Sequence, residues 1–305
     1  MILLLGGTGY IGSQFISELD SRGIEYMNIS RSESDYYNYT LLYQMLRELK
    51  PRFLINCAGY TGKPNVDACE IFQEDTFKGN VTLPSVIAKA CAMARVPWGH
   101  VSSGCIYNGY DKKFTEEDES NFSFDVPPCS YYSGTKALGE QKIKEIGEDY
   151  YIWRLRIPFD EYDSGRNYLS KLMKYDKLLN SKNSISHRAD FVSYCLDLYL
   201  YKCEYGIYNV VNSRPVSTKV ITNKINKILG INKDFKFFEN EKEMYKSAAA
   251  TPRSNCTLDN AKLRKQLGKH DIKVRTSLQA VEEALENWKG IEKNEDSRID
   301  ESFWK

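Results

Sequence analysis

Short apolar runs alternate with helical periods through the first half of the chain. Residues 2–5 are wholly apolar, lead straight into glycine, and predict a buried strand. Residues 10–21 have the spacing of an amphipathic helix ending near Gly23, and 24–30 read as a second strand. A helix over 39–49 is closed by Pro51, and Phe53-Leu54-Ile55-Asn56 predicts a third strand. A helix around 80–95 is stopped by Pro97, and Trp98 to Ser102 follow as a strand. A helix over 131–147 and a strand over 150–156 complete the series. Strands alternating with helices in this way predict βαβ units, and so an α/β fold with a doubly wound parallel sheet.

Past Pro158 the rhythm loosens. Segments 166–180 and 190–202 have helical character, Ile207-Tyr208-Asn209-Val210-Val211 reads as a strand, and helices are expected near 216–229, 258–267 and 276–289. No repeat or linker separates the halves. The expected organisation is a nucleotide-binding domain over 1–157, a smaller C-terminal substrate lobe over 158–292 partly interleaved with it, and a charged, loosely ordered tail over 293–305.

Composition narrows the function classes. The chain has 305 residues, 42% of them hydrophobic, so a substantial core is expected. A charged fraction of 27% balanced to a net +1 gives no general attraction to nucleic acid or to an anionic membrane. The 22 tyrosines are not interleaved with basic runs, and no stretch approaches the roughly 20 apolar residues of a membrane span. The opening apolar run lacks a basic flank and a cleavage site, so a cytoplasmic enzyme without a signal peptide is expected. The 8 cysteines form no Cys-x-x-Cys pair and the 3 histidines are scattered, so free thiols and no metal site are expected.

Three motifs in a fixed order carry chemistry. Gly6, Gly9 and Gly12, with Thr8, Tyr10 and Ile11 between them, stand at a strand-to-helix turn. Glycine there lets the backbone approach a pyrophosphate seated on the helix N-terminus, the dinucleotide site of a Rossmann sheet. At the end of the second strand an NAD site usually carries an acid for the ribose 2′-hydroxyl. Here the run is Asn28-Ile29-Ser30-Arg31-Ser32. A guanidinium beside hydroxyls suits a 2′-phosphate, so NADPH is the expected cofactor, held in part by Ser30 and Arg31.

The second motif places Ser103 at the end of a strand, and the third places Tyr132 one helical turn before Lys136. A phenol with a pKa of about 10 is a sluggish proton donor at neutral pH. The Lys136 charge is expected to lower it, while its ammonium holds the nicotinamide ribose. Ser103 would bond the substrate carbonyl oxygen. Tyr131 is one residue out of register and reads as a packing aromatic.

These motifs, with Cys57-Ala58-Gly59 after the third strand, resemble the extended short-chain dehydrogenase/reductase family, whose members mostly act on nucleotide sugars. A narrower likeness is to the bifunctional 3,5-epimerase/4-reductases of UDP-4-keto-6-deoxyglucose, the C-terminal half of plant rhamnose synthases. It is carried by residues 61–70 (Thr61-Gly62-Lys63 and Asn65-Val66-Asp67 flanking a proline), Gly104-Cys105-Ile106, Leu155-Arg156-Ile157-Pro158, Arg166-Asn167 and Pro252-Arg253-Ser254-Asn255. Lys63 departs from the arginine expected there, which loses a bidentate fork. The resemblance implies Cys105 and Lys171 as the acid/base pair for inversion at C3 and C5, with Ser103 and Tyr132 holding the enolate. It implies substrate contacts from Thr61, Gly62, Lys63, Asn65, Gly104, Asn167, Arg253 and Asn255, and a homodimer. In the related 4,6-dehydratases an Asp-Glu pair follows the catalytic Ser or Thr. Gly104-Cys105 lacks those carboxylates, so a separate dehydratase is expected to supply the keto sugar.

Overall fold

The computed structural model describes residues 1–63 and 65–289. Six strands, Ile2–Leu5, Tyr26–Ile29, Phe53–Asn56, Trp98–Ser103, Tyr150–Leu155 and Gly206–Asn209, form one sheet. Taken in chain order, they run across it as second, first, third, fourth, fifth and sixth. Every neighbouring pair is parallel. The direction of winding reverses between the first and third strands, and the crevice beyond their carboxyl ends is where open α/β sheets bind ligands.

Burial on both faces explains the unbroken apolar strands. Ile2 and Leu4 pack with Phe15, Leu19, Phe53, Trp153 and Phe191 on one side. Leu3 and Leu5 pack with Leu42, Leu46, Leu54, Ile87 and Ile152 on the other. The first layer is closed by helices Tyr10–Ser21 and Arg188–Leu200, the second by Tyr39–Leu49, Leu83–Ala94 and Tyr131–Ile146. A further core gathers Phe159, Leu169, Leu172, Ile185, Ile221, Ile225, Val281 and Leu285 beneath helices Thr218–Leu229 and Ser277–Glu286.

The second half departs from expectation in several places. The segment 166–180 is not one helix. A helix covers Tyr168–Lys174, the chain turns extended at Tyr175, and Lys177–Leu178 pairs with Lys236–Phe237. The last part of the expected 258–267 helix is real, at Ala261–Gly268, but Leu258 belongs to the strand Cys256–Leu258. That strand pairs with Gly109–Phe114, whose run of exposed charges hid its extended character from the sequence pattern. The strand expected at 207–211 is Gly206–Asn209, and it completes the main sheet beside Tyr150–Leu155. The tail expected from residue 293 lies outside the described residues.

Candidate active site

The glycine turn is shaped by close backbone approach. Gly6 adopts φ +79°, and a Cβ there would lie 2.5 Å from Ala58 N. A Cβ on Gly12 would lie 2.0 Å from Gly6 O. A side chain at Gly6 would push the turn off the loop after the third strand, and one at Gly12 would break the turn itself. Asn28 ties the turn from the second strand, its Oδ1 accepting from Gly7 N at 3.1 Å. Asn56 supports the opposite wall, accepting from Ala58 N at 3.0 Å while its amide meets His100 Nδ1 at 3.0 Å.

These segments line a cleft of about 370 Å³, with Gly6, Thr8, Gly9, Ser30, Arg31, Cys57, Ala58 and Gly59 all on its wall. Tyr36, Tyr37, Asp75 and Lys78 line it as well, although no motif marked them. Tyr10 and Ile11 serve differently: the Arg188 guanidinium lies 4.6 Å over the Tyr10 ring, and Ile11 packs on the sheet core. The cradle of backbone N–H groups, small residues and a guanidinium fits a dinucleotide.

Tyr132 and Lys136 lie on the helix Tyr131–Ile146, whose N-cap Ser130 accepts from Ser133 N at 3.1 Å. Glu70 also fixes the start of this helix, its Oε1 accepting from Tyr131 N at 2.7 Å. Lys136 is 5% exposed, and its Nζ stands 3.5 Å from where a Gly59 Cβ would be. The helix therefore presents its lysine to the loop that lines the cleft. Asn80 joins the same two parts. It accepts from Tyr60 N at 3.0 Å and donates to Tyr60 O at 2.9 Å and to Thr135 Oγ1 at 3.3 Å. It sits in a π-turn, Lys78–Thr82, of a kind frequent at functional sites. No sequence motif announced it.

Ser103 ends the fourth strand, close enough to the Tyr132 phenol to act on its ionisation. The Ser103 Oγ accepts from Cys105 N at 3.2 Å. Burial, and then Cys105, push the phenol above its ordinary value, with Ser103 and the Arg166 charge pulling the other way. The net direction is opposite to the lowering expected from Lys136. Burial pulls Lys136 itself down to about 8, with Glu140 and two nearby thiols opposing. Glu140 is locked in a buried pair with Arg154 at 2.7 Å and receives the Ser102 hydroxyl at 2.5 Å.

Cys105 faces this cluster, and its Sγ accepts from Arg156 Nη1 at 3.5 Å. Arg156 is 1% exposed and also donates to Asn183 Oδ1 at 2.7 Å and Ser254 O at 2.7 Å. Lys171 is lowered by burial first and then by the charges of Arg166 and Arg253. Three cations thus share one region, and Arg166 in turn acts on the Tyr132 phenol. No hydrogen bond joins Lys171 to Cys105 among the described residues.

The remaining expected substrate residues divide. Arg253 is held by Asp67 at 2.6 Å and by Thr251 Oγ1 at 3.0 Å. Arg166 donates to Thr61 Oγ1 at 3.1 Å and Gly62 O at 2.9 Å, so it clamps the loop that begins at Thr61. Gly62 has φ +73°, and a Cβ would strike Asn65 O at 2.2 Å. Asn65 caps the turn by accepting from Asp67 N at 2.8 Å. Lys63 is exposed, and Gly104 is packed under Leu258.

Two of the expected substrate residues are engaged within the fold. Asn167 is fully buried, donates to Asp160 O, Asp160 Oδ1 and Tyr162 O, and caps the helix through Leu169 N at 2.9 Å. Asn255 is occupied by Asn183 at 3.1 Å and Glu241 at 2.9 Å. Both side chains are held by partners within the chain, while the neighbouring Arg166 reaches the loop at Thr61 and Gly62. A second cavity of about 500 Å³, lined by Tyr110, Lys219, Phe237, Phe238 and the 179–181 segment, was not foreseen either.

The parallel sheet, the glycine turn at its switch point and the Ser/Tyr/Lys cluster define a nucleotide-binding α/β protein of the Rossmann type. The chain belongs to the RmlD substrate binding domain family, which matches residues 1–287. It is 30% identical over 272 residues to a trifunctional UDP-glucose 4,6-dehydratase/UDP-4-keto-6-deoxy-D-glucose 3,5-epimerase/UDP-4-keto-L-rhamnose-reductase of Arabidopsis thaliana, covering 87% of this chain and 39% of that protein. The chain therefore spans well under half of that relative. It is 29% identical to a bifunctional dTDP-4-dehydrorhamnose 3,5-epimerase/dTDP-4-dehydrorhamnose reductase of the same plant, covering 86% of each. Among solved structures, the L780 UDP-rhamnose synthase of Acanthamoeba polyphaga mimivirus superposes with a TM-score of 0.84 at 22% identity, over 94% of this chain and 98% of that one. A dTDP-4-dehydrorhamnose reductase of Bacillus anthracis in complex with NADP gives 0.76 at 20%, over 94% and 97%.

Proposed function

We propose that this chain is an NADPH-dependent enzyme that epimerises a UDP-4-keto-6-deoxyhexose at C3 and C5 and then reduces its 4-keto group. The observation that carries the reading is the meeting of Ser103, Tyr132, Lys136 and Cys105 at the mouth of the glycine-turn cleft. Relatives whose names include both the epimerase and the reductase activity support it.

A 4-keto group acidifies the hydrogens at C3 and C5. Inverting those centres needs a base, an acid and a group to hold the enolate oxygen. In this reading Cys105 and Lys171 exchange the protons, while the Ser103 hydroxyl and the Tyr132 phenol hold the oxygen. When bound, NADPH would supply the hydride to C4, and Tyr132 would protonate O4. A phenol raised by burial is fully protonated at neutral pH, the form a proton donor requires. The Lys136 ammonium beside Gly59 holds the nicotinamide ribose and favours the phenolate left behind.

Arg253, Arg166 and Lys171 concentrate positive charge where a diphosphate would lie. The second cavity, with Tyr110 and the Phe237–Phe238 pair, offers aromatic faces for a pyrimidine base. Lys63 and the 61–67 loop close on the sugar, and residues 158–292 act as the substrate lobe. Since Gly104-Cys105 provides no carboxylate pair for dehydration, the keto sugar comes from a separate 4,6-dehydration. A homodimer and a cytoplasmic location belong to the same reading.

The test is turnover of UDP-4-keto-6-deoxyglucose, followed by loss of NADPH absorbance and isolation of the sugar product. UDP-rhamnose as product supports the reading. In Cys105→Ala, solvent exchange at C3 or C5 should stop while a pre-epimerised keto sugar is still reduced. Exchange that survives in this variant removes Cys105 from its role. Consumption of NADPH with no inversion would leave a 4-ketoreductase alone.

A further inference from the structure

The end of the second strand holds an acid that the sequence pattern did not place there. Ser30 opens a tight turn in which its carbonyl accepts from Glu33 N at 3.2 Å and Ser34 N at 3.2 Å. The Glu33 carboxylate folds back onto Ser30, accepting from its backbone N–H at 2.7 Å and from its hydroxyl at 2.6 Å. The Ser30 hydroxyl is also 2.8 Å from Ser32 Oγ. Ser30 and Arg31 line the cofactor cleft together with Tyr36 and Tyr37.

Arg31 does not pair with Glu33 among the described residues. Its charge acts on the Tyr37 phenol at the cleft wall. The turn thus separates two functions: the cation leans on an aromatic at the wall, and the anion occupies the serine donors. Those donors, a backbone N–H and hydroxyls at the end of the second strand, are the groups a ribose 2′-phosphate would use. A carboxylate and a phosphate cannot accept from the same hydrogens, and their like charges repel. A neutral 2′-hydroxyl meets no such conflict and can donate to the carboxylate.

We infer that Glu33 is a coenzyme-selectivity residue that occupies the 2′-phosphate position and biases the site away from NADPH and toward NADH. The inference rests on the nicotinamide reading of the cleft. Arg31 pulls toward NADPH and Glu33 against it, so the wild-type protein binds both coenzymes.

The experiment is a fluorescence titration of the purified protein with NADPH and with NADH, for wild type, Glu33→Gln and Arg31→Ala. Glu33 is exposed, so its replacement leaves the fold intact. Glutamine keeps the turn closed and removes the charge. The expected result is NADPH binding tightened about fivefold in Glu33→Gln, the scale of a screened charge interaction at a surface, with NADH unchanged or weakened. The gain should shrink as salt is raised. Arg31→Ala should move the ratio the opposite way. An unchanged ratio in Glu33→Gln, with both coenzymes still bound, overturns the inference and leaves the nicotinamide reading standing. Failure of both coenzymes to bind wild-type protein overturns both readings, and binding of NADPH alone overturns the inference.

Discussion

At the glycine turn a methyl group on Gly12 would lie 2.0 Å from Gly6 O, six residues back along the same turn. In the proposed substrate region, the Arg253 guanidinium is held by Asp67 at 2.6 Å from 186 residues away. The first region is specified by local sterics, and the second by partners that only the folded chain brings together. The catalytic helix lies between these extremes. The Tyr132–Lys136 spacing is local, but their neighbours Ser103, Asn80 and Gly59 arrive from three other segments.

The comparison breaks most visibly at Tyr132. Tyr132→Phe should lower kcat by about 10²- to 10⁴-fold, the usual worth of a positioned acid, while coenzyme titration stays normal. Near-normal turnover would remove Tyr132 from its role. At the substrate end, Arg253→Ala should raise KM by roughly 10- to 100-fold, as loss of charged hydrogen bonds does, with kcat less affected. Arg253→Lys should not restore it, because the ammonium lacks the fork. An unchanged KM would place the diphosphate elsewhere.

Local sterics predict a different signature at the glycine end. Gly12→Ala should cost about 1–3 kcal/mol of stability through overpacking, together with much of the coenzyme affinity, read by thermal melting and titration. A variant that melts and binds like wild type would show that the turn can shift. Asn167→Ala sharpens the contrast. Losing this cap should cost about 1 kcal/mol of stability, and KM should stay within a small factor of wild type. A large KM effect with unchanged melting would return Asn167 to the substrate.

The smallest predicted effect is in the pH profile. Burial lowers Lys136 to about 8, so it is charged below that pH and neutral above it. The charge that holds the ribose and the phenolate is therefore lost as pH rises. On the free-enzyme profile, kcat/KM should fall on the alkaline side with a limb near about 8. Lys136→Arg, which stays charged, should be slower overall but lack that limb. An alkaline limb of the same position in the arginine variant would assign it to another group.

Much of the fold could be read from the sequence for the same reason the cofactor end could. The inner strands Ile2–Leu5 and Phe53–Asn56 are buried on two faces, so their apolar runs are continuous and the intervening helices are periodic. The second half is built from two-residue pairings such as Lys177–Leu178 with Lys236–Phe237, which leave no periodic trace. The single helix expected over 166–180 failed there. In the proposed site, motif spacing singled out Ser103, Tyr132 and Lys136 and the family resemblance singled out Cys105, but neither could say how Arg166 and Asn167 are engaged. Asn167 has buried partners at Asp160 and Tyr162, and those are tertiary facts. Glu33 escaped notice because its carboxylate reaches Ser30 by folding back over a turn, not by standing at the strand's end.

The central claim is that one oxyanion site serves both epimerisation and reduction. Its most direct test is reaction with UDP-4-keto-6-deoxyglucose in deuterated water, with and without NADPH, followed by proton NMR. The account predicts deuterium at both C3 and C5 under either condition, and UDP-rhamnose only when NADPH is present. Reduction at C4 with no deuterium at C3 or C5 would contradict it.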